Sequence, residues 1–259
     1  ITSLCFSRDK KLLFYSKKSF KKKIDQQLTN CSIVHLDSTA VSINLSEKTA
    51  GAVMVENCVK LFRLPSLQEF ASIDLSDDFP TPPSSIALID HSNLNTTVAI
   101  GSLAYVLLLE FDGENSLISR QTVDTNSGDD FISLHFINIT SLFCGGKSNG
   151  LVSVIEKVGT SWRLKSHWRV PWQLRSITEV TSYENSPIVS ALAKDSIVLW
   201  DIITQTNLVK FSYNGKKNRV SVQVNDGSFT ASCIDGQKVA LFSNSPCLST
   251  RFVGQPFHG

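Results

Sequence analysis

The stretch Ser186–Ser212 reads SPIVSALAKDSIVLWDIITQTNLVKFS, and its punctuation decides the fold. One apolar run, Ile188–Leu192, meets a polar corner at Lys194-Asp195-Ser196, and a second, Ile197–Trp200, closes on Trp200-Asp201. A third, Leu208–Phe211, follows the polar turn Thr204–Thr206. Short apolar runs bounded by turn-forming side chains predict three antiparallel strands in a meander. A meander this small cannot bury its own faces, so it needs neighbours of its own kind.

Those neighbours are visible when the chain is aligned on the residue equivalent to Trp200. Ile24-Asp25 closes FKKKID, Phe62-Arg63 closes VKLFR, and Leu109-Glu110 closes VLLLE. Ile155-Glu156 closes LVSVIE, and Phe242-Ser243 closes VALFS. Positions 24, 62, 109, 155, 200 and 242 are separated by 38, 47, 46, 45 and 42 residues. A period near 40–45 with about four strands per unit is the signature of a β-propeller. Sustained helical periodicity is nearly absent.

Each repeat parses into four strands, a to d. The second is Val41–Leu45, Ala52–Val55, Val59–Leu64 and Phe70–Leu75; the third is Ser85–Ile89, Thr97–Ile100, Tyr105–Phe111 and Leu117–Val123. The fourth is Ile132–Phe136, Ser141–Cys144, Leu151–Lys157 and Trp162–Trp168. The fifth adds Leu174–Val180 to the three runs quoted above, and the sixth is Val220–Val224, Phe229–Cys233, Val239–Phe242 and Ser249–Val253. The first has Thr2–Phe6 and Leu12–Tyr15, followed by a lysine-heavy third strand.

The period, the Leu199-Trp200-Asp201 ending, and turns such as Asp235-Gly236 and Ser148-Asn149-Gly150 before the third strand resemble the WD-repeat family. The resemblance covers nearly the whole chain. Only one repeat carries Trp-Asp, and the Gly-His pair that opens a typical repeat is missing throughout. The expected fold is therefore an all-β, WD-repeat-like β-propeller forming a single domain over residues 1–259. Its repeats end near Asp25, Arg63, Glu110, Glu156, Asp201 and Ser243. Six blades are visible, and the resemblance implies seven in the complete protein, with the two chain ends interlocking in one blade.

Composition narrows the function classes. With 259 residues, 42% of them hydrophobic and 19% charged, the chain can bury a sizeable core and is not of disordered composition. A net charge of +2 is too small to imply a polyanionic partner by itself. No run approaches the ~18 apolar residues of a membrane helix. The chain opens on Ile1 in a strand-like pattern, without signal peptide or initiator methionine, as a fragment of a longer protein would. Cys5, Cys31, Cys58, Cys144, Cys233 and Cys247 are scattered, with no CxxC pair and no histidine at ligand spacing. Reduced structural thiols, and hence a nuclear or cytoplasmic protein, are expected.

In the resembled topology the d-to-a and b-to-c loops share one rim, the usual binding face. That rim would carry Asp77, Asp78, Asp129 and Asp130 on its acidic side. Lys147, Trp172, Arg175, Lys194, Lys216, Lys217 and Lys238 would form its basic side. A charge-split face suits a protein partner, because complementary patches steer encounter and fix register. Within Trp162–Arg169, alternation puts Trp162, Leu164, Ser166 and Trp168 on one side and Arg163, Lys165, His167 and Arg169 on the other. The N-terminal run Lys17, Lys18, Lys21, Lys22 and Lys23 offers an alternative, phosphate-binding surface, although lysines also guard an edge strand.

No GxSxG, HExxH, glycine-rich phosphate loop or EF-hand loop is present, and the five histidines are isolated. Asp77-Asp78 and Asp129-Asp130 are adjacent pairs, which point to opposite faces of an extended chain and make poor acid–base couples. The expectation is a non-catalytic scaffold without cofactor or metal, a subunit of an intracellular multiprotein complex that binds other protein subunits. The alternative is a nucleic-acid-associated propeller subunit, in RNA processing or modification.

Overall fold

The computed structural model describes residues 4–6, 12–15, 32–35, 40–126, 131–146, 151–169, 174–183, 186–193, 196–201, 206–212, 220–225, 228–233, 239–243 and 251–252, with side chains at 40–126, 133–146 and 151–169. The first sheet holds β1 (Leu4–Phe6), β2 (Leu12–Tyr15) and β3 (Ser32–His35). A four-stranded sheet follows: β4 (Ala40–Leu45), β5 (Thr49–Met54), β6 (Cys58–Arg63) and β7 (Gln68–Asp74). The next comprises β8 (Ser85–Asp90), β9 (Thr96–Ser102), β10 (Tyr105–Phe111) and β11 (Leu117–Asp124). Then come β12 (Phe131–Asn138), β13 (Ser141–Gly146), β14 (Leu151–Val158) and β15 (Ser161–Arg169). The last two sheets are β16 (Leu174–Tyr183), β17 (Ser186–Ala193), β18 (Ser196–Asp201) and β19 (Thr206–Ser212), and β20 (Val220–Asn225), β21 (Ser228–Cys233), β22 (Val239–Ser243) and β23 (Arg251–Phe252).

All five four-stranded sheets are antiparallel meanders in chain order, so the strands expected from the sequence in the second to the sixth repeat are present with ends shifted by at most three residues. The first repeat departs from expectation. Its third described strand is Ser32–His35, which runs parallel to β2 with Leu12 opposite Ser32 and Tyr15 opposite His35. A parallel return needs a connection of a dozen or more residues, and residues 16–31 separate the two strands. The lysine-heavy strand expected around Ile24-Asp25 lies outside the described residues.

The chain divides into two compact units, residues 1–146 with 151–169, and residues 147–150 with 170–259. In the first unit, the inner strands β8, β9 and β10 are buried on both faces along most of their length, and β9 is buried at every position. Alternation sends Ile86, Leu88, Val98, Ile100, Leu107 and Leu109 into one core, shared with Val53, Val59 and Leu61 of the preceding sheet. The intervening Ala87, Ala99, Val106 and Leu108 enter a second core with Leu134, Leu142, Cys144, Ile155 and Trp162 of the following sheet. Both sides of a period-two pattern are thus apolar, as a sheet packed between two others requires. A Cβ at Gly51 would lie 2.8 Å from Ile86 Cδ1 and 3.0 Å from Leu61 Cδ2, so a glycine is what lets the sheets close here.

The outer strands share a device. A one-residue β-bulge interrupts the pairing of β6 with β7, β10 with β11, β14 with β15 and β18 with β19. Phe70, Ile118, Lys165 and Leu208 are the extra residues, and each bulge sharpens the twist of an edge strand.

His135 on β12 shows how this burial governs pH dependence. Its Nε2 lies 2.5 Å from Ser133 Oγ, and burial pushes its pKa down from 6.5 to about 4. A base with a lowered folded pKa binds fewer protons folded than unfolded between those two values, so stability is lost as pH falls through that window. Unfolding in urea should require about 2 kcal/mol less at about pH 5 than at about pH 7. In His135→Gln that difference should shrink to the background of the remaining groups.

Candidate interaction surface

Two of the residues that close the expected repeats, Arg63 and Glu110, tie one sheet to the next. Arg63 ends β6 and reaches across to the β8–β11 sheet. Its Nη1 donates to the hydroxyl oxygens of Thr49, at 3.0 Å, and Thr96, at 2.9 Å, and its Nε donates to Asn115 Oδ1 at 2.5 Å. The guanidinium also lies 4.4 Å over the ring of Phe70. Burial draws the Arg63 pKa below its usual value, opposed by the carboxylates of Asp90 and Asp112.

Asp90, at the end of β8, completes the clamp. Its Oδ1 accepts from the hydroxyls of Thr49, at 2.8 Å, and Thr96, at 3.0 Å. Its Oδ2 accepts from the Ser46 hydroxyl and the Lys48 amide, both at 2.6 Å. Two threonine hydroxyls, both on fully buried residues, thus bridge Arg63 to Asp90 by hydrogen bonds. Four donors converge on one carboxylate, and the cluster holds two sheets together.

The same position one repeat later is Glu110. Its Oε1 accepts from Lys157 Nζ at 2.5 Å and from Trp162 Nε1 at 2.8 Å, linking β10 to β14 and β15. Gln121 on β11 bonds the backbone of Trp162 twice, its Nε2 donating to the carbonyl at 2.6 Å and its Oε1 accepting the amide at 2.8 Å. His91 stands beside this group, with Nε2 2.8 Å from Thr97 Oγ1; burial and then the charge of Lys157 lower its pKa. Glu156, the next repeat-closing residue, pairs within its own sheet with Lys165 at 2.9 Å.

Of the residues expected on the binding rim, the structure describes the side chains of Asp77 and Asp78, in the connection from β7 to β8. Asp77 is exposed. Asp78 is held by a two-pronged contact from Arg120 of β11, whose Nε donates to Oδ1 at 3.1 Å and whose Nη2 donates to Oδ2. The same Nη2 donates to the Asp74 carbonyl at 3.1 Å, and the Asp78 contact holds the Arg120 pKa up. Ser76 bonds to the Asp74 carboxylate and lowers its pKa. Arg175 lies on β16. Asp129, Asp130, Lys147, Trp172, Lys194, Lys216, Lys217 and Lys238 lie outside the described residues, as do Lys17, Lys18, Lys21, Lys22 and Lys23. Asp77 and Asp78 thus share a loop, but one is available to a partner and the other is committed within the chain.

The opposite end of the sheets carries a feature that the sequence reading did not single out. Turns a–b and c–d share one end of a meander, and at that end of two adjacent sheets stand exposed aliphatic residues. Leu94, in the β8–β9 turn, is 53% exposed, and Leu117 and Ile118, opening β11, are 42% and 55% exposed. Ile139, in the β12–β13 turn, and Val158, closing β14, are 49% and 43% exposed. The Arg63–Asn115, Glu110–Lys157 and Lys157–Thr140 contacts show that these ends lie on one side of the unit. Leu94 also has φ of 68°, a left-handed conformation that a leucine adopts at a cost of about 1 kcal/mol. The readable signal was the adjacent apolar pair Leu117-Ile118 opening an outer strand, where both residues are exposed.

Among the described residues, no group of three His, Cys, Asp or Glu side chains could hold a metal ion. Among them, too, no helix is long and apolar enough to cross a membrane.

No protein-family model matches the chain, and no curated protein matches it in sequence. The fold does have solved counterparts. In the complex of KlAtg21 with the coiled-coil of AgAtg16, the similar chain superimposes with a TM-score of 0.64 at 11% identity, over 86% of this chain and 72% of that one. KlAtg21 is a β-propeller, and the likeness supports a propeller-like fold here. Since 1324 solved chains match, the architecture by itself selects no function.

Proposed function

We propose that this chain is a non-catalytic protein-interaction platform, a subunit of an intracellular multiprotein complex, nuclear or cytoplasmic. Its sheets are the blades of one WD-repeat-like propeller, six in this chain and seven in the complete protein. The observation that carries the interaction reading is the exposed aliphatic group Leu94, Leu117, Ile118, Ile139 and Val158 at one end of two adjacent sheets. Exposed apolar groups that cluster at one site mark places where another molecule excludes water. The partner that fits is the apolar stripe of an amphipathic or coiled-coil helix, and the coiled coil bound to KlAtg21 supports that choice. Cys58 and Cys144, both unpaired, support a reducing compartment.

Nuclease-treated affinity purification from native cells at low and high salt tests this reading, with wild type compared to the Ile118→Asp, Ile139→Asp double variant. A stoichiometric protein that survives both salts with wild type and is lost with the variant is the expected result. An unchanged set of partners would overturn it. Loss of every wild-type partner on nuclease treatment would favour the phosphate-binding alternative of Lys17, Lys18, Lys21, Lys22 and Lys23, because counterion release makes such binding steeply salt-dependent.

Leu94→Asn separates docking from folding. Asparagine tolerates the left-handed conformation, so the substitution should raise stability by up to about 1 kcal/mol in urea denaturation. It should still weaken the salt-resistant partner by about tenfold in a binding assay, since a buried leucine contributes about 1.5–3 kcal/mol.

A further inference from the structure

The outer strand β15 carries a feature that the aliphatic end does not use. Its residues alternate in burial along the whole strand: Trp162 is 2% exposed and Leu164, Ser166 and Trp168 are half-buried, while Arg163, Lys165, His167 and Arg169 are exposed. Every exposed position from 163 to 169 is therefore occupied by Arg, Lys or His. The strand is also an edge, because its sheet runs β12-β13-β14-β15 and, among the described strands, β15 pairs with β14 alone. The outward backbone groups of Trp162 are taken up by Gln121, and the row of basic side chains lies along the edge beyond it.

Edge protection accounts for one or two charges on such a strand, and the neighbouring outer strands show that level. The exposed residues of β7 are Gln68, Glu69, Ser72 and Asp74; those of β11 include Ile118, Arg120, Thr122 and Asp124. On those strands the cation is spoken for, since Arg120 binds Asp78. On β15, Lys165 pairs with Glu156, whereas Arg163, His167 and Arg169 have no acidic partner among the described residues. Three basic side chains on one edge with no acidic partner among the described residues exceed what protection against aggregation needs.

We propose that the β15 edge binds an extended acidic segment of a partner protein, added as a further strand. Alternate residues in a strand are roughly 6.6–6.8 Å apart. Beyond the bulge at Lys165, an added strand with Asp or Glu at every second position would place a carboxylate opposite each of His167 and Arg169, within the ~5 Å of a cross-strand pair, with Arg163 adding a further cation on the near side of the bulge. The backbone ladder supplies affinity and the charge pairs set register, as in other strand-addition interfaces. Nucleic acid fits less well: single strands are gripped by stacking on exposed aromatic rings, and the two tryptophans of β15 face inward. This surface is independent of the aliphatic end, so either proposal can fail alone.

The test is fluorescence anisotropy with the full chain and three labelled probes. These are a peptide alternating Glu and Thr, a peptide of the same composition with its glutamates grouped at one end, and oligo-dT of similar charge. The alternating peptide should bind at least about tenfold more tightly than the other two. Arg163→Glu, Arg169→Glu should cut its affinity by at least about tenfold and should confer binding of an alternating Lys-Thr peptide. Both side chains are exposed, so the variant should keep its circular dichroism and melting temperature. Equal binding of the two acidic peptides, tighter binding of oligo-dT, no binding at about millimolar peptide, or no effect of the charge reversal would each overturn the proposal.

Discussion

Asp90→Ala should unfold the first unit more readily by about 3–4 kcal/mol, one of the two largest effects expected of a single substitution here. The carboxylate accepts four hydrogen bonds, from Ser46, Lys48, Thr49 and Thr96. Removing it strands two hydroxyls at positions closed to water, and it leaves the Arg63 guanidinium without the negative charge it reaches through them. Thr49→Val removes one hydroxyl and keeps the shape, so it should cost less, about 1–2 kcal/mol. Equilibrium urea denaturation followed by circular dichroism measures both. A loss below about 1 kcal/mol for Asp90→Ala would mean that water replaces the carboxylate, and that the clamp is not what joins these sheets.

Trp162→Ala should cost a similar amount, about 3–5 kcal/mol, for a different reason. The side chain is 2% exposed and belongs to the core shared by β8–β11 and β12–β15, with the Phe136 ring edge-on at 6.2 Å. Truncation opens a cavity between the sheets and removes a donor to Glu110. Trp162→Phe keeps most of the packing and loses the donor, so it should cost about 1.5–3 kcal/mol, the usual range for a hydrogen bond to a charged group. Comparing the two variants divides packing from polar linkage.

The strand pattern was legible because each run, such as Val59–Leu64 or Tyr105–Phe111, alternates between two apolar environments and is bracketed by turn residues. Period two survives even when both faces are buried, provided that turns mark the ends. The first repeat was less legible, because a parallel return such as Ser32–His35 depends on a distant partner and leaves no local signature. The site was harder still. Asp77-Asp78 read as an acidic pair, but sequence cannot say that Arg120, some forty positions away, takes up Asp78. Arg63 and Glu110 read as departures from Trp-Asp; their partners lie one repeat further on, at a distance that only folding closes. On β15 the alternation alone gave the outcome, since Trp162 and the four basic residues fall on the sides that period two assigns them.

The two faces of β8–β11 differ in a way that bears on how such a chain can change over generations. One core receives Ile86, Leu88, Val98 and Ile100; the other receives Ala87 and Ala99 at the intervening positions, together with Trp162 from the next sheet. Each sheet is thereby addressed to a particular neighbour, through the sizes of its side chains as well as through Arg63 and Glu110. The two sheets are non-interchangeable parts. A chimera that exchanges β8–β11 with β12–β15 would set bulk against bulk on one side and small against small on the other, and it would not fold. A larger residue at Ala87 or Ala99 would overfill the core that holds Trp162 unless a neighbour in that core became smaller.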